Sequence, residues 1–133
     1  MVGLQGCGKS TWVAGHLAGT HAVVSKDLWP NARRREARQR RVVAELLAAG
    51  RSVVVDNTHP SAGERAPLIA AAREAGVAVR CVWVDNPPEI CLERNDAREG
   101  RARVPLVGIR AARGRFDPPS VEEGFVRIDV VRP

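Results

Sequence analysis

Near its start the chain reads Gly3-Leu4-Gln5-Gly6-Cys7-Gly8-Lys9-Ser10-Thr11. This stretch fits the phosphate-binding loop pattern G-x-x-x-x-G-K-[ST]. The glycines permit tight turns that point successive N–H groups at one anion, and a helix beginning at Ser10 adds the positive end of its dipole. In such a loop the lysine reaches the β- and γ-phosphates of ATP and the next hydroxyl holds Mg²⁺. The residues expected to bind ATP here are Gly3, Gly6, Cys7, Gly8, Lys9, Ser10 and Thr11.

Lysine usage favours this interpretation over a glycine-rich turn that matches the pattern by chance. Lys9 and Lys26 are the only lysines, and every other basic side chain is an arginine. A chain that otherwise uses arginine has kept lysine at the position where a compact ammonium fits among phosphates. Only Met1 and Val2 precede Gly3, so we expect either a chain cut short at its start or a stub of a central strand.

Length and composition indicate one globular domain covering residues 1–133. The net charge of +6 favours an anionic partner such as phosphates or nucleic acid, although an arginine-rich surface without a partner is an alternative. The three cysteines are widely spaced, which predicts no disulfide framework, a reducing compartment and therefore the cytoplasm. No apolar run approaches the length of a membrane span, so no membrane association is expected.

Short apolar runs alternate with helical patterns along the chain. Strands are predicted at 21–25, 52–55, 77–84 and 125–131, and helices at 10–18, 32–49, 61–75 and after Pro87 and Pro105. This alternation predicts an α/β fold with a parallel sheet covered by helices on both faces. Ligands bind at the carboxyl ends of such strands, so the loop at 3–11, Asp27 and Asp56 should meet at one edge.

Two aspartates at strand ends are candidates for phosphoryl-transfer chemistry. Asp27 is the candidate general base for an attacking hydroxyl, with a helix N-cap as its alternative role. Asp56 is placed to contact Mg²⁺, directly or through water, or to help hold the acceptor; a strand-end turn former is its alternative.

Arginines recur between residues 94 and 103. On a helix, Arg94, Arg98 and Arg101 would share one face, as in a mobile lid that closes over ATP and neutralises its phosphates. We expect Arg98 to make the catalytic contact; a solvated surface helix is the alternative. A second basic face is predicted on residues 32–49, and Trp29 before it is a candidate to stack on a base.

Six motifs occur in a recognisable order: Gly3–Thr11, Val24-Ser25-Lys26-Asp27, Val55-Asp56-Asn57-Thr58-His59-Pro60, Arg94-Asn95-Asp96-Ala97-Arg98, Val104-Pro105 and Glu123-Gly124-Phe125. In this the chain resembles the kinase domain of 5′-polynucleotide kinases over essentially its whole length. The resemblance implies a P-loop NTPase-type sheet with an arginine-bearing lid. It also implies Mg²⁺-dependent transfer of the γ-phosphate of ATP to a 5′-hydroxyl of DNA or RNA, as in nucleic-acid repair.

The resemblance also implies roles for individual residues. Lys9, Asp27 and Arg98 would be catalytic, Arg94 and Arg98 would contact ATP, and Asp27, Asp56 and Asn57 would bind the acceptor. Ser10 and Asp56 would hold the metal.

The chain departs from the family pattern at its short start and at two single positions. His59 replaces the usual asparagine after Asp56-Asn57-Thr58, and Pro30 replaces an arginine that often holds the acceptor's 3′-phosphate. Arg33, Arg34 and Arg35 are the candidates to replace it. Two alternative functions therefore stay open: a P-loop kinase for a nucleoside, sugar or nucleotide sugar, and a non-catalytic ATP-binding module.

Overall fold

The computed structural model describes all 133 residues as strands, five α-helices and short 3₁₀ turns. The strands are β1 (Ala22–Val24), β2 (Val53–Val55), β3 (Arg80–Val84) and β4 (Arg127–Val131). The helices are α1 (Lys9–His16), α2 (Arg35–Ala48), α3 (Ala62–Glu74), α4 (Pro88–Asp96) and α5 (Leu106–Gly114). None of these helices is both long and apolar enough to cross a membrane.

The helix boundaries follow from local chemistry. Ser61 caps α3 by accepting a hydrogen bond from the Glu64 N–H at 3.3 Å. Proline lies at the first turn of α4, where a backbone N–H has no partner inside the helix. Gly50 and Gly76 take left-handed φ values of 74° and 69° just beyond α2 and α3, which lets the chain turn back toward the sheet.

The strands form two parallel pairs, whereas the sequence predicted a single sheet. β1 pairs with β2, and β3 pairs with β4. The first two residues lie between the pairs: the Met1 amino group donates to the Val55 carbonyl at 2.9 Å, and Val2 forms an isolated parallel bridge with Trp83. The predicted central strand is thus represented by one bridge.

A cavity of about 410 Å³ separates the two strand pairs above this bridge. Apolar side chains of β2 and β3 line it, together with Met1, Ile69 and Phe125. The peptide groups of successive residues in a parallel strand point to opposite sides. The Asp56 N–H bonds to the Val24 carbonyl of β1, whereas the Val55 carbonyl accepts from the Met1 amino group on the other side. The peptide groups of Val53 and Val55 therefore point away from β1 and toward the cavity.

Candidate active site

The loop between Val2 and α1 adopts a conformation that requires glycine. Gly3, Gly6 and Gly8 have φ values of 146°, 80° and 101°. A Cβ on Gly6 would lie 2.0 Å from the Cys91 carbonyl oxygen, because α4 packs directly against the loop. Glycine at this position is therefore needed for both backbone torsion and packing.

The backbone N–H groups at the start of α1 have no side-chain cap. Gly8 is the N-cap residue of this helix, and no side chain caps it. The first N–H groups of a helix have no partner inside it, so those of α1 are available to an anion. This arrangement fits the phosphate site that the sequence predicts at residues 3–11, and phosphate binding there stays a prediction.

Lys9 lies at this site with only 8% of its surface exposed, and its Nζ donates to the Leu4 carbonyl at 2.7 Å. Burial lowers the pKa of Lys9 to about 8. The Asp56 carboxylate opposes this shift, Arg98 reinforces it, and Asp27 opposes it more weakly. The charges of all three predicted partners therefore act on Lys9.

Ser10 and Asp56 meet beside Lys9. The Ser10 hydroxyl donates to Asp56 Oδ2 at 2.6 Å, and the buried Oδ1 of the same carboxylate has no hydrogen-bond partner. An unpaired buried carboxylate oxygen beside a hydroxyl fits a hard cation, which prefers oxygen ligands. The structure contains no cluster of three or more His, Cys, Asp or Glu side chains with metal-site geometry. Mg²⁺ does not need one, because it usually keeps waters and binds phosphate oxygens.

Asp27 is exposed and lies in the 3₁₀ turn Lys26–Leu28, directly after β1. Its backbone N–H donates to Ser25 Oγ at 3.2 Å, so Ser25 is the cap of this turn. The alternative role of Asp27, an N-cap for the following helix, is not seen, because Arg34 is the N-cap residue of α2. The Asp27 carboxylate makes no hydrogen bond or ion pair within the chain.

Asn57 is 9% exposed, and its amide is bonded to other parts of the chain. It accepts from the Lys26 N–H at 3.0 Å and donates to Gln39 Oε1 at 2.7 Å. Acceptor binding by Asn57 remains a prediction, and its amide would have to leave these partners to perform it.

The predicted arginine-bearing helix is shorter than expected. Because α4 ends at Asp96, Arg94 lies in its last turn, whereas Arg98 and Arg101 lie in the loop beyond and do not share a helix face with it. Arg94 Nη1 donates to the Cys7 carbonyl of the phosphate loop at 3.3 Å. Arg98 is exposed and donates to the Ala102 carbonyl at 3.4 Å.

The Asn95 side chain joins the two ends of the segment 96–103. Asn95 donates to the Val104 carbonyl and accepts from the Val104 N–H, both at 2.9 Å. The Asn95 side chain is 2% exposed, so this contact is sheltered from water. The arginines 98, 101 and 103 therefore lie on a loop whose ends are fixed beside the phosphate loop.

The predicted absence of a disulfide is wrong. Cys7 and Cys91 form one, with their Cα atoms 4.4 Å apart, and it connects the phosphate loop to α4. Their separation of 84 residues gave no spacing signal, because the loop and α4 come together only in the folded chain. Cys81 is free and buried, as expected of a core residue.

Sequence reasoning missed three buried polar side chains behind the site. Gln39 is 1% exposed, His59 6% and Arg65 3%. Arg65 makes a two-pronged ion pair with Glu123 at 2.7 and 2.9 Å and donates to the His59 carbonyl at 2.9 Å. The one available signal was Glu123 within the Glu-Gly-Phe motif, since a carboxylate there needs a partner if it is buried.

The family model AAA_33, described as an AAA domain, matches residues 1–119. The chain belongs to this family. This AAA_33 chain is 27% identical over 135 residues to the bifunctional polynucleotide phosphatase/kinase of Schizosaccharomyces pombe, an alignment that covers 98% of the chain and 32% of that relative. A relative from Acanthamoeba polyphaga mimivirus is 28% identical over 138 residues, with the same coverage. The chain thus spans about a third of the length of these relatives.

Two solved structures share the fold of this AAA_33 chain. A sugar kinase from Janibacter sp. HTCC2649 superposes with a TM-score of 0.68 at 19% identity, covering 96% of this chain and 82% of that one. The Mycobacterium tuberculosis APS kinase CysC, solved with AMPPNP and APS, gives 0.57 at 21% identity, with coverages of 99% and 86%. The predicted α/β fold of P-loop kinase type is therefore confirmed, and so is the family resemblance.

Proposed function

We propose that this protein is an ATP-dependent kinase that transfers the γ-phosphate to the 5′-hydroxyl end of a DNA or RNA strand. The observation that carries the proposal is the hydrogen bond between Ser10 and Asp56 beside buried Lys9, together with the charges of Arg98 and Asp27, which are close enough to alter the pKa of Lys9. A protein that only binds nucleotide needs neither a free carboxylate opposite the lysine nor an arginine loop above it. The resemblance to polynucleotide phosphatase/kinases supports the choice of acceptor.

Each residue has a role that its placement supports. The loop N–H groups and Lys9 bind the β- and γ-phosphates, with Arg94 bracing the loop at the Cys7 carbonyl. Asp27 accepts the proton of the attacking hydroxyl, and Arg98 neutralises charge on the transferring group. Ser10 and Asp56 would hold Mg²⁺, which neutralises charge on the phosphate oxygens when bound.

The surface beyond Asp27 supports an acceptor that carries phosphates. α2 begins eight residues later and presents exposed arginines, and the Arg38 guanidinium lies 4.7 Å from the centre of the Trp29 ring. This contact covers one face of Trp29 and adds positive charge beside it. A nucleic-acid backbone leading to Asp27 would cross this basic surface.

A small-molecule acceptor is the second candidate, and two observations favour it. Pro30 leaves the residue three after Asp27 without a charge, and both solved structures named above carry the names of small-molecule kinases. Under this alternative the basic face of α2 would have no part in substrate binding.

The test is incubation of the protein with γ-labelled ATP, Mg²⁺ and 5′-hydroxyl DNA, RNA, nucleosides or sugars. We expect label on oligonucleotides, with an acceptor KM that rises steeply with salt because phosphate contacts release counterions. A salt-insensitive KM for a neutral small acceptor would establish the second candidate. ATP binding without transfer to any acceptor would leave only the non-catalytic module.

A further inference from the structure

Asn57 carries a buried amide whose hydrogen-bonding positions are all used. Its Oδ1 accepts from the Lys26 N–H at 3.0 Å and from Ser25 Oγ at 3.4 Å. Its Nδ2 donates to Gln39 Oε1 at 2.7 Å and lies 3.5 Å from His59 Nε2. One side chain thus joins the end of β1, α2 and the turn after β2.

The protonation of His59 fixes the direction of this amide. His59 Nδ1 lies 2.8 Å from the Met1 carbonyl, which only accepts, so Nδ1 carries the hydrogen and Nε2 is an acceptor. Burial, helped by the charge of the chain's amino group, lowers the pKa of His59 to about 3 and keeps the ring neutral. Gln39 Oε1 and His59 Nε2 both require a donor, so the NH₂ group of Asn57 faces them and its oxygen faces Lys26.

The turn at His59 is stabilised by a contact with the Arg65 side chain. His59 has a left-handed φ of 45°, which is unusual for a residue other than glycine. The Arg65 guanidinium donates to the His59 carbonyl at 2.9 Å and is anchored by its ion pair with Glu123. The strained turn is therefore stabilised by a buried cation that has its own counter-charge.

We propose that Asn57 is a positioning residue that sets the direction of Asp27 by gripping the two residues before it. Ser25 Oγ accepts from the Asp27 N–H, and Lys26 N–H is held by Asn57, so the turn that aims the Asp27 carboxylate rests on this amide. The inference rests on the proposed function for the role of Asp27, and it replaces acceptor contact as the reason for asparagine at this position.

The rate of hydrogen exchange at the Lys26 N–H tests whether Asn57 holds this group, and the measurement requires no enzymatic reaction. In Asn57→Ser the shorter side chain cannot reach the Lys26 N–H. This N–H should therefore exchange at least about tenfold faster than in the unaltered protein. Gln39→Met keeps a similar volume and removes one of the two acceptors that orient Asn57, so it should give a smaller acceleration in a well-folded protein.

Asn95→Ser is the matched control, since it removes another buried amide that bonds backbone, at Val104. Once its effect on the free energy of unfolding is taken into account, this variant should leave the exchange rate of the Lys26 N–H unchanged. Unaltered Lys26 exchange in both Asn57→Ser and Gln39→Met would overturn the proposal.

Kinetics separates positioning from acceptor contact. We expect Asn57→Ser to lower kcat by about 10–100-fold with little change in either KM, and to cost nothing further when Asp27→Asn is already present. A raised acceptor KM with unchanged kcat would instead assign Asn57 to the acceptor and sink the proposal. If the unaltered protein phosphorylates no acceptor, the proposed function fails. The exchange rates would still show whether Asn57 holds the Lys26 N–H.

Discussion

The two strand pairs of this fold carry the two halves of the candidate site, and they hold them by different means. On the side of β3 and β4, α4 is fastened to the phosphate loop by backbone contact at Gly6 and by the Cys7–Cys91 disulfide. On the side of β1 and β2, Asp27 is held through buried side chains that meet at Asn57. The predicted phosphate site thus depends on a short local motif, whereas placement of Asp27 depends on residues far apart in sequence.

This difference has a consequence for mutational sensitivity. A motif made of backbone N–H groups fails mainly when glycine or lysine is replaced. A side-chain network fails when any member is replaced, because the remaining buried polar atoms lose their partners. The predictions below separate the two halves, from the largest expected effect to the smallest.

Arg98→Ala should reduce transfer by about 10³–10⁵, the range for loss of a transition-state arginine. ATP binding should weaken far less, because the phosphate loop is intact. Single-turnover transfer and equilibrium ATP binding measure the two effects. Arg110→Ala, which removes an exposed arginine of α5, is the control and should remain near full activity. Equal losses in both variants would remove Arg98 from the mechanism.

Asp27→Asn should lower kcat by about 10²–10⁴, the usual contribution of general acid–base catalysis, and should keep ATP binding. This isosteric change affects only the half that aims the carboxylate. The measurement is labelling of whichever acceptor the unaltered protein uses. Near-normal labelling would show that Asp27 is not the base.

His59 should make the protein acid-sensitive. Its pKa falls from an ordinary 6.5 to about 3 on folding, so the unfolded chain binds the extra proton between these values. Stability is therefore fully present above pH 6.5 and is lost as pH falls toward 3, by up to about 5 kcal/mol. Urea unfolding across this window measures it.

His59→Asn, which tolerates a left-handed φ, should flatten the acid dependence. His16→Asn, on an exposed ring, is the control. An unchanged slope in His59→Asn would mean that the imidazole is not buried in its neutral form.

The cavity between the strand pairs should accept an engineered strand. Four apolar residues joined ahead of Met1 would replace the bond between its amino group and the Val55 carbonyl, and could pair with the peptide groups of Val53 and Val55 and bury side chains against Ile69. Apolar burial minus chain ordering suggests a gain of about 2–3 kcal/mol in the free energy of unfolding.

A Gly-Ser extension of equal length is the matched control for this experiment. It should give no gain, because it has no apolar side chains to bury. Equal unfolding midpoints for the two extensions would show that the cavity does not accept a strand.

Lys9 should make ATP binding depend on pH. With a pKa of about 8 in the free protein, the ammonium is present below pH 8 and is lost above it. The Kd for ATP should rise as pH increases through 8, by up to tenfold per pH unit above it. Lys9→Arg should bind more weakly but with a flat profile, because guanidinium stays charged. A flat profile in the unaltered protein would exclude this titration.

Much of the fold and half of the site could be predicted from sequence. The boundaries of α1, α3 and β2 follow from capping residues, glycines and apolar runs, and those signals are local. The contact of Asp56 with Ser10 was predictable because parallel strands end at one edge, whereas the role of Asp27 stays a prediction. The sequence did not show that α4 ends before Arg98, and the contact of Asn95 with Val104 beyond that end is invisible in a residue pattern.

The sequence by itself determined the phosphate loop, the alternation of strands and helices, and the residue types of the candidate chemistry. These depend on torsional preference and hydrophobic periodicity, which act between neighbours along the chain. Only the tertiary structure decided the Cys7–Cys91 disulfide, the division into two strand pairs and the burial of Asn57 with His59. Those features require segments tens of residues apart to meet, and hydrogen-bond satisfaction in a water-free interior selects the partners only once they have met.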